Sequence, residues 1–479
     1  MKASLFIAAA SAPAAFAIFR DKPKNFIFII PDGMSPTSQT IARTFLEAQA
    51  NGISIDDMPI GNTRTHSANN LVTDSAAAGT ALAAGVKTNN GAIGVLPDGQ
   101  PIGTILEAAK LEGYLTGLVV TSTINHATPA SFSSHVINRN ALASIVEQQV
   151  GYSHPLNQSV DILLGGGRCY FKPQSDPTSC RDDDLDLFSY AASKGYYVAT
   201  NRSAFDAISS ARGRTPLPWL GTFNNGDLVY DLDRRTQPEA DREPSLSEMT
   251  ALALEALDNG TRCRGLGCLV KRGKGYFLMI EASRIDHASH ANDGAAHLHE
   301  VLEYERVMAL VKRWIDEHPD TAMISVADHE TGGLTIPSRY NVRALAGASK
   351  TAETLAEEFE AATGDKRAVL TGKILPAYGV TDASEAEIEG LLAAGNGFER
   401  ALVNVLNVRS GLKWSTGGHT GVDVTLFGYA KGRMGEELKL TLAGNHDNVE
   451  IPRYLERALG VDMDRVTREL RAKGTGWIP

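Results

Sequence analysis

The sequence has little cysteine, few aromatic residues and no surplus of positive charge. Its 479 residues include 4 cysteines and 4 tryptophans, aromatic residues make up 7%, and the formal net charge is −10. Because nucleic acid is usually held on a broad basic surface, the charge argues against nucleic-acid-specific binding. A site for a small anion would have to draw on local positive charge from metal ions, arginine or helix N-termini.

Long apolar runs are missing beyond the N-terminal segment. No later stretch reaches the roughly 20 apolar residues of a spanning helix, so no stable membrane span is expected. At the N-terminus, Lys2 precedes an apolar run that holds Pro13 and an A-x-A arrangement at Ala15 and Ala17. We predict a cleaved signal peptide over residues 1–17 and a secreted protein. The alternative is a vacuolar protein, or one anchored in a membrane through an uncleaved N-terminal segment.

The four cysteines form two close pairs, Cys169 with Cys180 and Cys263 with Cys268. In an oxidising compartment such pairs are expected to form disulfides that close small loops. A zinc site built from all four is the alternative, although neither pair has the two-residue spacing of a zinc knuckle. Glycosylation sequons, which are compatible with export and a glycoprotein, lie at Asn157, Asn201 and Asn259.

Short apolar runs alternate with helical patterns along the chain. Runs of this kind suit strands buried on both faces of a parallel sheet. The alternation predicts a doubly wound α/β fold, with a mainly parallel central sheet flanked by helices. The predicted strands are Asn25–Ile30, Leu115–Val120, Tyr276–Ile280 and Ala322–Val326, and the predicted helices include Ile102–Leu111, Leu246–Leu257 and Ala295–Ile315.

Residues 338–407 differ in character from the rest. They are rich in Ala and Glu, with a helical pattern over Thr351–Ala362 and a capping box from Ser384 to Glu387. No candidate ligand lies among them. We interpret them as a helical or interface insert within a single α/β catalytic domain that spans residues 25–470.

Polar side chains follow the predicted strands. Asp32, Glu281 and Asp328 each come just after one, and His329 follows Asp328 directly. In an open α/β sheet the ligand binds outside the carboxyl ends of the strands. These residues are therefore expected to meet at one edge of the sheet.

Histidines and carboxylates recur in three further patterns. Asp286 and His290 are four residues apart and would share one face of a helical turn. His329 stands just before a Gly pair and His419 just after another. Carboxylate and imidazole ligands suit zinc, and a catalytic zinc needs three protein ligands and an open position. The combination predicts a metal site.

Ser75 precedes a run of small residues that is expected to be helical. A serine at a helix N-terminus lies where backbone N–H groups and the helix dipole favour an anion. In this segment alone, Ser75 could equally be an ordinary helix N-cap. The metal-type ligands elsewhere in the chain favour a functional role.

Six segments together resemble the signature set of the alkaline phosphatases, most closely that of the fungal-type members. They occur in the family's order between about Asn25 and Ala430. The segments are IIPDGM, VTDSAAAGTA, NHATPASFSSH, EASRIDHASH, SVADHETGG and STGGHTGVDVTLFGYA.

The resemblance implies a phosphate monoesterase that works through a phosphoserine at Ser75, with two zinc ions and one magnesium ion. A first zinc, which holds the leaving-group oxygen, would be bound by Asp286, His290 and His419. A second zinc, which activates Ser75, would be bound by Asp32, Asp328 and His329. Magnesium would be bound by Asp32, Thr128 and Glu281, together with waters.

Four further residues have implied roles around that site. Arg139 is similar to the family's phosphate-clamping arginine, and Asp74 is placed to orient it. His287 lies at a substrate-side position where members of the family differ. His126 occupies a position that holds aspartate in some members, and we predict that it acts on magnesium from the second coordination shell. The resemblance also implies a homodimer and small phosphate monoesters as substrates.

Two other classes of function remain open at this point. A diesterase or a sulfatase on a related fold is one, although Ser75 lacks the proline two residues later that formylglycine formation in a sulfatase requires. The other is a non-catalytic protein that kept the fold and binds zinc or phosphate.

Overall fold

The computed structural model describes residues 22–48, 54–209, 217–262 and 274–479. The predicted signal peptide over residues 1–17 and the Cys263–Cys268 pair lie outside these residues, and both stay predictions. The strands are β1 (Asn25–Ile30), β2 (Pro59–Arg64), β3 (Leu115–Thr123), β4 (Ile162–Gly166), β5 (Tyr197–Ala199), β6 (Trp219–Thr222), β7 (Tyr276–Glu281), β8 (Thr321–Val326), β9 (Glu330–Thr331), β10 (Leu334–Thr335), β11 (Lys413–Trp414), β12 (His419–Thr420), β13 (Val424–Ala430) and β14 (Gly444–Asp447).

Helices surround these strands along the described chain. They are α1 (Pro36–Glu47), α2 (Ser75–Ala84), α3 (Ile105–Leu111), α4 (Ala127–Ser133), α5 (Leu142–Gln149), α6 (Leu187–Ser193), α7 (Arg202–Ser209), α8 (Asp231–Arg234), α9 (Leu246–Thr261), α10 (Arg284–His290), α11 (Gly294–Glu317), α12 (Val342–Ala346), α13 (Ala352–Ala361), α14 (Lys366–Val369), α15 (Leu375–Ala377), α16 (Glu385–Leu392), α17 (Phe398–Ser410), α18 (Gly432–Leu442), α19 (Glu450–Leu459) and α20 (Met463–Arg471).

A large twisted sheet forms the centre of the protein. Within the described residues it has 10 strands in the order β14-β2-β13-β8-β1-β7-β3-β4-β6-β5. Each pairing is parallel except the two made by β13, which runs antiparallel to β2 and β8. The central strands β1, β7 and β8 are buried along their whole length, as their apolar runs predict. The predicted doubly wound α/β class is confirmed.

The predicted elements match the structure with small shifts at their ends. β3 runs on to Thr123, three residues beyond its predicted end, and α3 begins at Ile105 because Thr104 caps it. Residues 338–407 hold α12 to α16 and most of α17. The capping box from Ser384 to Glu387 is present at the start of α16. An interface role for this insert stays a prediction.

One of the two predicted disulfides lies within the described residues. Cys169 and Cys180 are bonded, with their Cα atoms 5.0 Å apart and a sequence separation of 11. The pairing closes a loop next to α6. The prediction of a short-loop disulfide is confirmed for this pair.

The disulfide is expected to stabilise the fold. On the chain-entropy account, cross-linking a loop of about a dozen residues lowers the entropy of the unfolded chain by an amount worth about 2–3 kcal/mol. The Cys169→Ser/Cys180→Ser variant should therefore have a free energy of unfolding lower by about that amount. Urea denaturation of variant and wild type measures it, and equal values would contradict the expectation.

Candidate metal centre and active site

The four central strands deliver polar side chains to one edge of the sheet. β8, β1, β7 and β3 are neighbours and run parallel, so their carboxyl ends lie side by side. Asp32 follows β1, Glu281 ends β7, and Asp328 with His329 follows β8. Helix α4 begins just after β3 and carries Thr128. The expected meeting of these residues at one sheet edge is observed.

A first cluster joins α10 to the distant strand β12. The Nε2 atom of His290 lies 3.2 Å from Asp286 Oδ2 and 3.1 Å from the Nε2 atom of His419. His419 reaches the cluster because β12 pairs with β9, which sets His419 opposite Thr331. The ligand atoms of Asp286, His290 and His419 all lie within 4.8 Å of one another, a spacing that can hold a metal ion.

Backbone carbonyls fix the protons of both histidines in this cluster. The Nδ1 atom of His290 lies 2.7 Å from Gly417 O, and that of His419 lies 2.8 Å from Thr73 O. A carbonyl oxygen only accepts, so each Nδ1 carries the proton and donates it. The two Nε2 atoms face each other, and Asp286 beside them raises the pKa of His290 to about 9. A cation between them relieves that contact, as in metal sites whose outer partners orient the imidazole.

A second cluster surrounds His329. Its Nε2 atom lies 3.1 Å from Asp328 Oδ2, 3.8 Å from Asp32 Oδ1 and 3.1 Å from Ser75 Oγ. Asp32, Asp286 and His329 also meet the spacing for a metal ion. Asp328 is held by two backbone donors, since its Oδ1 accepts from the N–H groups of Gly33 and His329.

A third cluster shares Asp32 with the second. Asp32, His126 and Glu281 bring their ligand atoms within 4.8 Å of one another. Thr128 is fully buried, as are Asp32 and Glu281. His126 thus lies close enough to these carboxylates to share a metal ion with them, and its second-shell role stays a prediction. Burial lowers the pKa of His126 to about 3, so its imidazole is neutral.

The buried carboxylates of these clusters lack compensating positive charge. Both oxygens of Asp32, Oδ2 of Asp328 and Oε1 of Glu281 have no hydrogen-bond partner among the described residues. Burial, reinforced by Asp328, raises the pKa of Asp32 well above its usual range. Burial raises the pKa of Glu281 to about 7 and that of Asp328 to about 6. Uncompensated acidic oxygens at these spacings fit divalent cations.

Ser75 lies at the first position of α2, beside the second cluster. Asp74, not Ser75, is the N-cap, and its side chain accepts from Ala77 N. The N-cap interpretation of Ser75 is therefore wrong, because the cap is one residue earlier. The Ser75 hydroxyl is therefore not used to cap the helix, and its Oγ lies 3.1 Å from His329 Nε2.

Arg139 faces the same space from a loop. Its Nη1 atom donates to Asp74 Oδ2 at 3.1 Å, and its Nη2 atom lies 3.4 Å from His126 Nε2. The other contacts of Asp74 include a bond from Gly91 N at 2.9 Å. Asp74 therefore orients the guanidinium from a position that is itself fixed by the backbone.

Two residues that support the site, Asp227 and Thr331, have no distinguishing signal in the sequence. Asp227 Oδ2 lies 3.3 Å from His287 Nδ1, and its Oδ1 accepts from Thr123 N at 2.7 Å. In the sequence, Asp227 follows a stretch rich in turn-forming residues, so the pattern predicts only an ordinary loop residue. Thr331 donates its hydroxyl to Asp286 and lies 3.2 Å from His329 Nδ1.

Another buried group, Glu107 with His135 and His154, also has the spacing of a metal site. His135 Nδ1 donates to Gly94 O at 2.7 Å, and its Nε2 lies 2.9 Å from Glu107 Oε1. His154 Nδ1 accepts from Leu156 N, so its proton lies on Nε2, 2.9 Å from the same carboxylate oxygen. Both Nε2 atoms are thus directed at the Glu107 carboxylate, and the pKa of His135 is raised because Glu107 outweighs the effect of burial. We interpret this group as a structural network.

Comparison with known proteins agrees with the geometry. The sequence profile of the family described as "Alkaline phosphatase" matches residues 23–461. The chain belongs to the alkaline phosphatase family. An "Alkaline phosphatase" of Schizosaccharomyces pombe is 41% identical over 94% of this chain and 84% of its own length. The "Repressible alkaline phosphatase" of Saccharomyces cerevisiae is 37% identical over 96% of this chain and 86% of its own length.

Solved structures of the family share the fold. The alkaline phosphatase of Thermus thermophilus superposes with a TM-score of 0.78 at 28% identity, over 95% of this chain and 96% of that one. A cold-active alkaline phosphatase from a Shewanella species gives 0.74 at 30% identity, over 91% and 99%. The protein is thus a phosphatase hydrolase, and its expected similarity to fungal-type members is confirmed. None of the described helices is both long and apolar enough to cross a bilayer.

The buried carboxylates predict how metal-free protein responds to pH. Because the pKa of Glu281 rises from 4.5 to about 7 on folding, the folded state keeps a proton that the unfolded chain loses between these pH values. The contribution of Glu281 to the stability of chelator-treated protein should therefore be fully present below its unfolded pKa of 4.5 and be lost as the pH rises through about 7. Thermal unfolding across this range measures the loss.

The neutral isostere Glu281→Gln is the matched control for that measurement. In metal-free form it should lose less stability over the same range than the wild type, and other titrating groups cancel in the comparison. A metal-free wild type whose dependence on pH equals that of the variant would contradict the prediction.

Proposed function

We propose that this member of the family hydrolyses phosphate monoesters through a phosphoserine at Ser75, in a site that takes two zinc ions and one magnesium ion. The observation that carries the proposal is the meeting of Ser75 Oγ with His329 Nε2 at 3.1 Å, beside buried carboxylates that lack partners. A nucleophile placed among metal-type ligands is the arrangement that two-metal phosphoryl transfer needs.

The three clusters divide the proposed ligands. The first zinc would be held by Asp286, His290 and His419. The second would be held by Asp32, Asp328 and His329. Magnesium would be held by Asp32, Thr128 and Glu281, and His126 lies close enough to contribute. When bound, these ions supply Lewis acidity that favours the serine alkoxide and the charge on the departing oxygen.

The chain's own groups bind and orient the phosphoryl group. Ser75 Oγ loses its proton to solvent and attacks phosphorus, the bond from phosphorus to the ester oxygen breaks, and the departing oxygen takes a proton from water to leave as the alcohol. A second water then attacks the phosphorus of the phosphoserine, the bond from phosphorus to Ser75 Oγ breaks, Oγ takes back a proton, and inorganic phosphate is released. Arg139 presents a planar guanidinium that matches two phosphoryl oxygens, and Asp74 holds it in place.

The α2 N-terminus adds further stabilisation of the anion. Ser75 is the first residue of this helix, so unpaired backbone N–H groups lie next to the phosphoryl position. These fixed dipoles need no rearrangement during the reaction. His287, held by Asp227, lies on the same side as His126, since their ring centroids are 5.4 Å apart.

We also propose that the protein is exported and acts as a homodimer. Export is supported by the leader pattern and by the Cys169–Cys180 disulfide, since disulfides persist in oxidising compartments. Dimerisation is supported by the family resemblance alone.

Ser75→Ala should abolish phosphoserine formation while zinc content stays near that of the wild type, because other residues hold the metals. The measurement is release of p-nitrophenol from p-nitrophenyl phosphate, together with acid-stable ³²P incorporation. Ser193→Ala, at the exposed end of α6, is the matched control and should retain both. Wild-type turnover by Ser75→Ala, or faster release from bis-p-nitrophenyl phosphate than from the monoester, would contradict the proposal.

The proposed division of ligands predicts different metal losses. His290→Ala and His419→Ala should each empty the first zinc site and leave the second largely filled. Asp328→Ala should impair the second site. Elemental analysis of the three purified variants measures zinc per chain, and zinc-edge absorption spectroscopy reports which ligands remain. The same loss and the same remaining ligand set in all three would contradict the division.

A further inference from the structure

A cavity of about 400 Å³ opens beside the first metal cluster. His290, one of the proposed zinc ligands, forms part of its wall, together with Gly417. The opposite wall is α17, the last helix that begins in the 338–407 insert. The His290 side chain is 39% exposed, and it belongs both to the first cluster and to the wall of the cavity. This cavity therefore joins the candidate active site to the insert.

Two cations in the cavity wall have no ionic partner. Arg400 and Lys413 both line it and both are exposed. In the described part of the chain, no carboxylate forms an ion pair with either. Arg409 shows the contrast, because on the same helix it is bound by Asp382 at 2.6 Å and by Glu387 at 2.8 Å. In a protein of net charge −10, two unpaired cations at one cavity are a local reversal of charge.

The remaining polar lining suits an anion or a polyhydroxy group. Trp414 lines the cavity with its aromatic ring, while its Nε1 atom is itself buried. Asn404 is exposed on α17 and offers a free amide. Glu399 is the acidic side chain of the wall, and burial raises its pKa, which weakens its opposition to an incoming anion.

We infer that this cavity is a subsite for the leaving group, and that it favours phosphate monoesters whose leaving group carries a second negative charge. The inference rests on the proposed function, in which the ion held by His290 lies on the side of the departing oxygen. Arg400 and Lys413 would then bind a carboxylate or a second phosphate of the substrate. Arg400 from the insert and Lys413 from β11 would contribute selectivity, while the sheet edge would contribute the chemistry.

The test compares two substrates that differ in one group. Sorbitol 6-phosphate and 6-phosphogluconate are open chains of equal length, and only the second has a carboxylate on its leaving group. In Arg400→Ala/Lys413→Ala, kcat/KM for 6-phosphogluconate relative to that for sorbitol 6-phosphate should fall by about fivefold to tenfold. Turnover of p-nitrophenyl phosphate should stay at the wild-type level, since its leaving group has no second charge of this kind.

A charge reversal gives a second, independent readout. Arg400→Glu/Lys413→Glu should shift the preference toward phosphocholine, whose leaving group is cationic. Arg433→Ala/Lys439→Ala, which removes two exposed cations from α18, is the matched control and should leave every ratio unchanged. Added salt should shrink the effect of the cavity variants, because exposed charges are screened.

The possible failures are distinguishable. No release from p-nitrophenyl phosphate by the wild type would refute the proposed function itself. Normal release with unchanged substrate ratios in both cavity variants would overturn only the subsite. Equal losses on both sugar esters would also overturn it, because they would show that the two cations shape the cavity and do not recognise charge. An equal change in the α18 control would show a general effect of net charge and have the same consequence.

Discussion

Three carboxylates with too little positive charge around them dominate the physics of this site. Asp32, Glu281 and Asp328 are fully buried, whereas Asp286 has His290 and Thr331 as partners. Two unit charges about 4 Å apart repel by about 4 kcal/mol at the effective dielectric of a protein, and burial adds a desolvation term. Protons relieve the repulsion in the metal-free chain, and divalent cations relieve it without neutralising the ligands. The metal requirement thus follows from burial as much as from the identity of the ligands.

Sheet topology is what enforces that burial. Four parallel neighbours end at one edge, so residues that follow them share a small volume whatever their separation in sequence. Ser75 is brought in by α2, which packs tightly on α4: a Cβ on Gly79 would lie 2.8 Å from Ser131 Oγ. The small side chains of α2 allow that approach, and Asp74 fixes its first turn. Ser75 is consequently held on a helix and not on a loop.

The sequence predicted the parts of this arrangement that depend on local pattern. Apolar runs located β1, β7 and β8, and the polar residues after them located the site. It misplaced the cap of α2 by one residue, because Ser75 and Asp74 are both good caps and only the fold decides between them. Asp227 could not be predicted, since its role arises from contact with His287, which is distant in sequence. The distance of His126 from Glu281 is equally a product of tertiary packing.

The residues around the site differ in how readily they can be substituted during evolution. Ser75, the metal-type ligands and Asp74 lie on the central strands or on helices adjoining them, where a shift of one group moves several partners. Arg400 and Lys413 lie on the rim of a cavity and have no such partners. Substitution of charged residues on the rim of the cavity changes the rate at which substrate is encountered and the selectivity for the leaving group. It leaves the buried side chains of the site in place. A phosphatase built this way can keep one mechanism while its insert adapts to different leaving groups.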